Sequence, residues 1–157
     1  YGQKNIKKEL ENSKKLAKYF GAKEHKIIDM KWLGELGNSG ITDLNIHFEN
    51  VSDDEIFDMI VSNPPYIETD EIETLSDEVR LFDPMMALDG DKDGLKFYRN
   101  ITEQAAGYLK RGGWLMYEIG CSQAVAVSEI MHKNGFAEVT VIKDLSGLDR
   151  VVCGKLM

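Results

Sequence analysis

Stretches with helical spacing of apolar residues alternate along the chain with shorter stretches that read as strands. Apolar residues that repeat every three to four positions predict helices over 4–20, 94–109 and 122–134. The acidic segment 68–93 is predicted to be a partly helical loop. Alternating or β-branched runs predict the strands 26–29, 44–48, 57–62, 114–119, 138–143 and 150–156. This order predicts a Rossmann-like, three-layer α/β sandwich with a mostly parallel sheet and a C-terminal antiparallel hairpin.

Length and composition indicate an ordinary globular domain. The 157 residues fit one domain over 1–157, and 43% hydrophobic residues exclude intrinsic disorder. Two cysteines, Cys121 and Cys153, are too few for a disulfide framework and too isolated for a zinc site, so we expect no metal. No apolar run is long enough to span a bilayer and no signal peptide is evident, so a cytoplasmic protein is expected.

The charge of the chain bears on its partners. The sequence holds 19 basic and 27 acidic residues, for a net charge of −8. A negative protein repels a phosphate backbone at long range, so nucleic-acid binding is not expected.

The sequence Asn63-Pro64-Pro65-Tyr66 follows the predicted strand 57–62, at the edge where open α/β sheets bind ligands. Two prolines make a stiff turn. The Asn63 side chain and the Pro64 carbonyl can each accept a hydrogen bond, so together they can bind both hydrogens of an –NH2 group. Tyr66 adds a flat face for a planar group. The turn could also simply end a strand, but its position after an apolar strand favours binding.

Five segments in order along 44–157 resemble the C-terminal part of the HemK/PrmC class of S-adenosylmethionine-dependent methyltransferases. These enzymes methylate the side-chain amide of a glutamine in peptide-chain release factors. The matching segments are 57–67, 82–90, 93–99, 113–120 with Gln123, and 143–152. The resemblance implies that Asn63 and Pro64 are catalytic and hold the substrate amide while Tyr66 packs against it. Leu148 departs from the arginine expected there.

The resemblance also implies features that this chain lacks. The class carries a Gly-rich loop after its first strand and an acidic residue that ends the second strand, and both hold the cofactor. Upstream of Asn63, only Gly34, Gly37 and Gly40 are candidates, and their spacing is wrong. We therefore expect S-adenosylmethionine to bind weakly or not at all.

Residues 1–43 resemble a different family, the PP-loop protein QueC, a 7-cyano-7-deazaguanine synthase. The resemblance rests on 1–3, 8–10, 14–21, 24–29 and 33–36 with Thr42 and Asp43. The nucleotide-binding loop of that family would precede Tyr1, and its zinc-binding cysteines are missing, so nucleotide binding is not expected. The chain is interpreted as a hybrid, joined near Asp43, that arose by fusion, recombination or engineering.

Three functions follow from these patterns. The first is a release factor glutamine methyltransferase, with a release factor as partner. The second is a catalytically inactive hybrid without a cofactor loop, and the third is an adenine-N6 methyltransferase, which would need a basic face around Tyr66. A sheet truncated in this way would expose a strand edge, so a homodimer through that edge is a further expectation.

Overall fold

The computed structural model describes residues 56–76 and 85–157, which form a four-stranded sheet with helices between its strands. The α/β class predicted from the sequence is confirmed. The strands are β1 (Phe57–Ser62), β2 (Leu109–Glu118), β3 (Phe136–Lys143) and β4 (Asp149–Leu156). The helices are α1 (Thr69–Ile72), α2 (Met85–Leu88), α3 (Lys96–Tyr108) and α4 (Ala124–Lys133).

The sheet is mixed and has the order β1-β2-β4-β3. β1 and β2 are parallel and are connected through α3, as parallel neighbours must be connected by a crossover. β4 pairs antiparallel with both β2 and β3, which confirms the C-terminal hairpin. Within the described strands one pairing is therefore parallel and two are antiparallel.

Several predictions reach beyond the described residues. The helix 4–20 and the strands 26–29 and 44–48 lie outside them, and the mostly parallel sheet depended on those strands. The single domain over 1–157 stays a prediction for the same reason. β1 and β3 are the outer strands of the described sheet, and dimerisation through an edge also stays a prediction.

β2 begins earlier than the sequence predicted. The predicted helix ends at 109 and the predicted strand begins at 114, but β2 already includes 109–113. Phe57 lies opposite Leu109, whereas Met59 lies opposite Trp114, so the extra residues of β2 form a bulge. Gly112 adopts a φ of 79° there, a conformation that glycine accepts without steric strain. The glycine pair bends the strand instead of ending it.

The hydrophobic core lies between the sheet and the helices α3 and α4. The two helices contact each other, so they lie on the same face of the sheet. Tyr98 of α3 and Tyr117 of β2 are fully buried, with ring centroids 5.1 Å apart in an edge-to-face arrangement. The Tyr117 hydroxyl shares a 2.8 Å hydrogen bond with the buried Thr102 hydroxyl. Burial raises the pKa of both tyrosines far above the usual value, so both stay neutral in the core.

Three further sequence features concern membrane-spanning helices, metal ligands and cysteines. No helix within residues 56–76 and 85–157 is long and apolar enough to cross a membrane. In the same residues no three metal-ligating side chains come together. Cys121 is exposed and Cys153 is buried, and both are free thiols.

The packing of α4 predicts unequal effects for two valines that differ only in burial. Val127 is fully buried, whereas Val125, half a turn away, is 73% exposed. Val127→Ala should lower the free energy of unfolding by about 2 kcal/mol, because it leaves a cavity in the core. Val125→Ala should change it by less than about 0.5 kcal/mol. Urea denaturation followed by circular dichroism measures both, and equal losses would contradict the proposed core.

Candidate functional site

The turn Asn63–Tyr66 directly follows β1, at the sheet edge where β1 and β2 both end. Ser62 at the end of β1 lies opposite Tyr117, one residue before the end of β2. The carboxyl ends of parallel strands meet at one edge, which is the usual place for ligand binding in open α/β sheets. The structure therefore places the turn next to the loop that connects β2 to α4.

The four residues of the turn divide into an anchor and an exposed part. Pro64 and Pro65 are buried, and Tyr66 is half-buried against the hydrophobic core. Asn63 is exposed. Neither the Asn63 side chain nor the Pro64 carbonyl forms a hydrogen bond with another residue in the described ranges. The prolines thus fix a turn on which two hydrogen-bond acceptors have no partner among the residues that the structure describes.

The Tyr66 carbonyl accepts a hydrogen bond from Gln123, which lies directly before α4. The Gln123 Nε2 donates to the Tyr66 oxygen at 2.9 Å and to the Gly94 oxygen at 3.3 Å. Gln123 precedes α4, yet its side chain does not cap that helix. The sequence analysis included Gln123 in a matching segment but assigned it no role. Glutamine is not one of the residues preferred at an N-cap, and its partners are distant in the sequence, so no local sequence signal indicates this contact.

The chain beyond the turn is fixed to the segment that precedes α3. The Ile67 amide donates to the Leu88 carbonyl at 3.0 Å, and the Gly90 amide donates to the Ile67 carbonyl at 2.7 Å. The Thr69 hydroxyl donates to the Asp89 carboxylate at 2.8 Å. The described ends of the predicted loop 68–93 are thus joined to each other, close to Tyr66.

Two glycines let the backbone segments approach this closely. A Cβ atom on Gly94 would lie 2.4 Å from the Tyr66 oxygen and 2.6 Å from the Gln123 Nε2. A Cβ atom on Gly90 would lie 2.8 Å from the Tyr66 Cα. Neither separation is tolerable for non-bonded atoms, so both positions need glycine.

The surroundings of the turn are mainly acidic. The exposed side chains of α1 and its flanks include Glu68, Asp70, Glu71 and Glu73. Lys96 pairs with Asp91 at 3.2 Å, and Arg99 pairs with Asp93. The hydrogen bond from Arg99 lowers the pKa of Asp93, and that from the Lys92 amide, with Lys96, lowers the pKa of Asp91. Carboxylates therefore dominate this corner, and two of its cations are already paired.

Arg150 supports the loop that follows β2. Its guanidinium donates to the Ile119 carbonyl at 3.3 Å and forms an ion pair with Asp144 at 3.2 Å. Hydrogen bonds from the Leu148 amide and from Arg150 lower the pKa of Asp144. Arg150 thereby connects the hairpin of β3 and β4 to the loop beside Tyr66. Leu148, where the resemblance led us to expect arginine, is exposed in this hairpin.

Comparison with known proteins identifies relatives for the C-terminal part of the chain. A release factor glutamine methyltransferase of Geobacter sulfurreducens is 50% identical over 103 residues, which are 66% of this chain and 36% of that protein. The Clostridium botulinum release factor glutamine methyltransferase is 49% identical over 104 residues, 66% of this chain and 37% of its own length. The C-terminal segment is similar to release factor glutamine methyltransferases. The chain spans little more than a third of the length of these relatives.

The N-terminal part matches another family. The family model for queuosine biosynthesis protein QueC matches residues 1–64. The Fusobacterium nucleatum release factor glutamine methyltransferase is 44% identical over 128 residues, 82% of this chain and 36% of that protein. A match of that length cannot fit between residue 44 and the C-terminus, so the two similarities overlap. Both predicted resemblances are confirmed, and the junction near Asp43 stays a prediction.

Two solved structures are also similar to the chain. One is a methyltransferase from Pyrococcus furiosus, with a TM-score of 0.44 and 19% identity over 65% of this chain and 42% of that one. The other is a release factor-specific protein-(glutamine-N5) methyltransferase from Alicyclobacillus acidocaldarius. It has a TM-score of 0.41 and 27% identity over 80% of this chain and 55% of that one.

The close approach at Gly94 predicts a position-specific effect of alanine. Gly94 and Gly147 both have positive φ, but a Cβ on Gly147 would meet nothing within 4 Å. Both alanine variants carry backbone strain of about 1 kcal/mol. Gly94→Ala should cost at least about 1 kcal/mol more, because its methyl group would displace Tyr66. Urea denaturation gives the two values, and a Gly94→Ala loss no larger than that of Gly147→Ala would contradict the contact.

Proposed function

We propose that this chain carries the substrate-binding part of an S-adenosylmethionine-dependent methyltransferase that methylates N5 of a glutamine side chain in a release factor. The proposal rests on two hydrogen-bond acceptors, the Asn63 amide oxygen and the Pro64 carbonyl, which have no partner within residues 56–76 and 85–157 and lie on a turn fixed by buried prolines. The similarity of the C-terminal segment to release factor glutamine methyltransferases supports it.

The chemistry of a carboxamide explains why two acceptors are needed. The amide nitrogen is a poor nucleophile because its lone pair is delocalised into the carbonyl group. Two acceptors can bind both N–H hydrogens and hold the nitrogen at a fixed orientation. Such orientation, with electrostatic support, contributes several kcal/mol to lowering a barrier. In the proposed site Asn63 and Pro64 are these acceptors, and Tyr66 packs against the planar amide.

A protein substrate fits the surroundings of the turn better than a nucleic acid does. An adenine-N6 methyltransferase also binds a planar –NH2 group, but it needs cations for the phosphate backbone. The described residues beside Tyr66 are mainly acidic, and Lys96 and Arg99 are engaged by carboxylates. We therefore favour a glutamine in a protein as the acceptor.

The described residues do not by themselves make a site for S-adenosylmethionine. The polar groups beside the turn are acceptors for the substrate amide. The Gly-rich loop and the ribose-binding carboxylate of the class belong before Asn63, where Gly34, Gly37 and Gly40 have the wrong spacing. No step through the cofactor is assigned to this chain.

The lack of a cofactor site in the described residues favours a second candidate function. It is an inactive hybrid that binds the substrate amide but transfers no methyl group. The full chain should give no measurable heat of binding when it is titrated with S-adenosylmethionine in a calorimeter. A micromolar dissociation constant would contradict this expectation and would show that the chain can supply its own cofactor site.

Binding of the substrate amide is tested with a capped glutamine, N-acetylglutamine amide, which is titrated into the full chain and followed by NMR. The wild-type chain should show saturable shifts at Tyr66 and Ile67. Asn63→Ala should weaken the binding about tenfold, because one of two hydrogen bonds to the amide is lost without replacement. Its stability should change by less than about 0.5 kcal/mol, since Asn63 is exposed.

The matched control is Asn100→Ala, which changes the same residue type in the interior of α3. It should leave the affinity for the capped glutamine unchanged. Equal affinities of Asn63→Ala and the wild-type chain would refute the role of Asn63, and a large loss of stability would show that Asn63 is structural.

A further inference from the structure

The Gln123 carboxamide joins three backbone segments that are distant in the sequence. Its Nε2 donates to the carbonyls of Tyr66 and Gly94, at 2.9 and 3.3 Å. Its Oε1 accepts from the Gly120 amide at 3.1 Å and from the Tyr98 hydroxyl at 3.4 Å. A primary carboxamide has two N–H donors and two acceptor positions. Both N–H donors are used and Oε1 accepts from the Gly120 amide, so the nitrogen and oxygen ends of the side chain have one orientation.

The space around this carboxamide leaves no room for an alternative arrangement. A Cβ atom on Gly94 would lie 2.6 Å from Nε2, and one on Gly120 would lie 2.9 Å from Oε1. The single hydrogen of the Tyr98 hydroxyl is shared between Oε1 and the Glu118 carbonyl, which lies closer, at 3.0 Å, at the end of β2. Gln123 therefore lies in a close-fitting site formed by three backbone segments and the Tyr98 hydroxyl.

The Tyr66 carbonyl belongs both to the site around Gln123 and to the turn Asn63–Tyr66, which carries the Asn63 and Pro64 hydrogen-bond acceptors. Pro64 and Pro65 have fixed φ angles, so few backbone rotations separate the Tyr66 carbonyl from the Pro64 carbonyl and the Asn63 side chain. Holding the Tyr66 carbonyl thus limits the orientation of both acceptors. The Ile67 and Gly90 amides hold only the chain beyond the turn.

We propose that Gln123 is a positioning residue, whose two N–H donors set the orientation of the Asn63 and Pro64 acceptors through the Tyr66 carbonyl. The expected effect on amide binding rests on the proposed function. The geometric part, that Gln123 fixes the turn, is measurable independently.

Gln123→Glu separates the donor role from the acceptor role, because glutamate has the same shape but no N–H group. At pH 7.5 a carboxylate oxygen would face the Tyr66 and Gly94 carbonyls and repel them. Amide hydrogen exchange at Ile67 and Gly90 should become about tenfold faster, while exchange at Val152 in the core stays unchanged. The affinity for N-acetylglutamine amide should fall about tenfold.

Lowering the pH from 7.5 to 5 provides a readout that a merely structural role would not produce. A protonated glutamate regains one O–H donor, and the Tyr66 and Gly94 carbonyls that face it favour this neutral form over the carboxylate. The affinity of Gln123→Glu for the capped glutamine should therefore recover toward the wild-type value as the pH falls. The wild-type chain in the same series reports the contributions of the other charged groups near the turn, which include Glu68, Asp89, Asp91, Asp93, Glu118 and Arg150.

Gln104→Glu is the matched control, since it makes the same change in α3, away from the turn, and should alter neither exchange nor affinity. Unchanged exchange at Ile67 and Gly90 in Gln123→Glu would overturn the inference, as would a wild-type affinity at pH 7.5. If the wild-type chain does not bind the capped glutamine, the proposed function fails, and the exchange rates alone decide the positioning role. If Gln123→Glu does not fold, Gln123→Ala gives the same exchange comparison without an added charge.

Discussion

The parallel pairing of β1 and β2 is the constraint on which the candidate site depends. It requires a crossover through α3, and it brings the ends of both strands to one edge of the sheet. The turn Asn63–Tyr66 and the loop before α4 are almost sixty residues apart in the sequence, and this pairing makes them neighbours. The hydrogen bond between Gln123 and Tyr66 exists only because of that arrangement.

The turn that follows β1 combines a fixed backbone with an exposed Asn63 side chain. Pro64 and Pro65 are buried against the core and cannot extend the strand, whereas Asn63 faces solvent. Hydrogen bonds to Tyr66 and Ile67 restrain the chain after the prolines. A binding site for a planar amide needs both properties, because a flexible pair of acceptors would have to be ordered by the ligand at a cost in affinity.

Local patterns predicted the regular elements of the described chain well. β1, α3, α4 and the C-terminal hairpin follow directly from apolar periodicity, with boundaries shifted by about two residues. The start of β2 was missed because two adjacent glycines normally indicate a turn, whereas here the partner strand accommodates them as a bulge. In the site, the prolines and Asn63 could be recognised from the sequence. The roles of Gln123, Gly90 and Gly94 could not, since they depend on contacts between distant segments.

The contacts that hold the Tyr66 carbonyl and the chain after it have a common origin in the sequence. Within the described residues, the partners of Tyr66, Ile67 and Thr69 all lie between Leu88 and Gln123. These described contacts are therefore encoded in one stretch of the sequence, which runs from β1 to Gln123. The QueC match over residues 1–64 and the 128-residue match to the Fusobacterium nucleatum release factor glutamine methyltransferase both include β1, so the two similarities meet in this stretch.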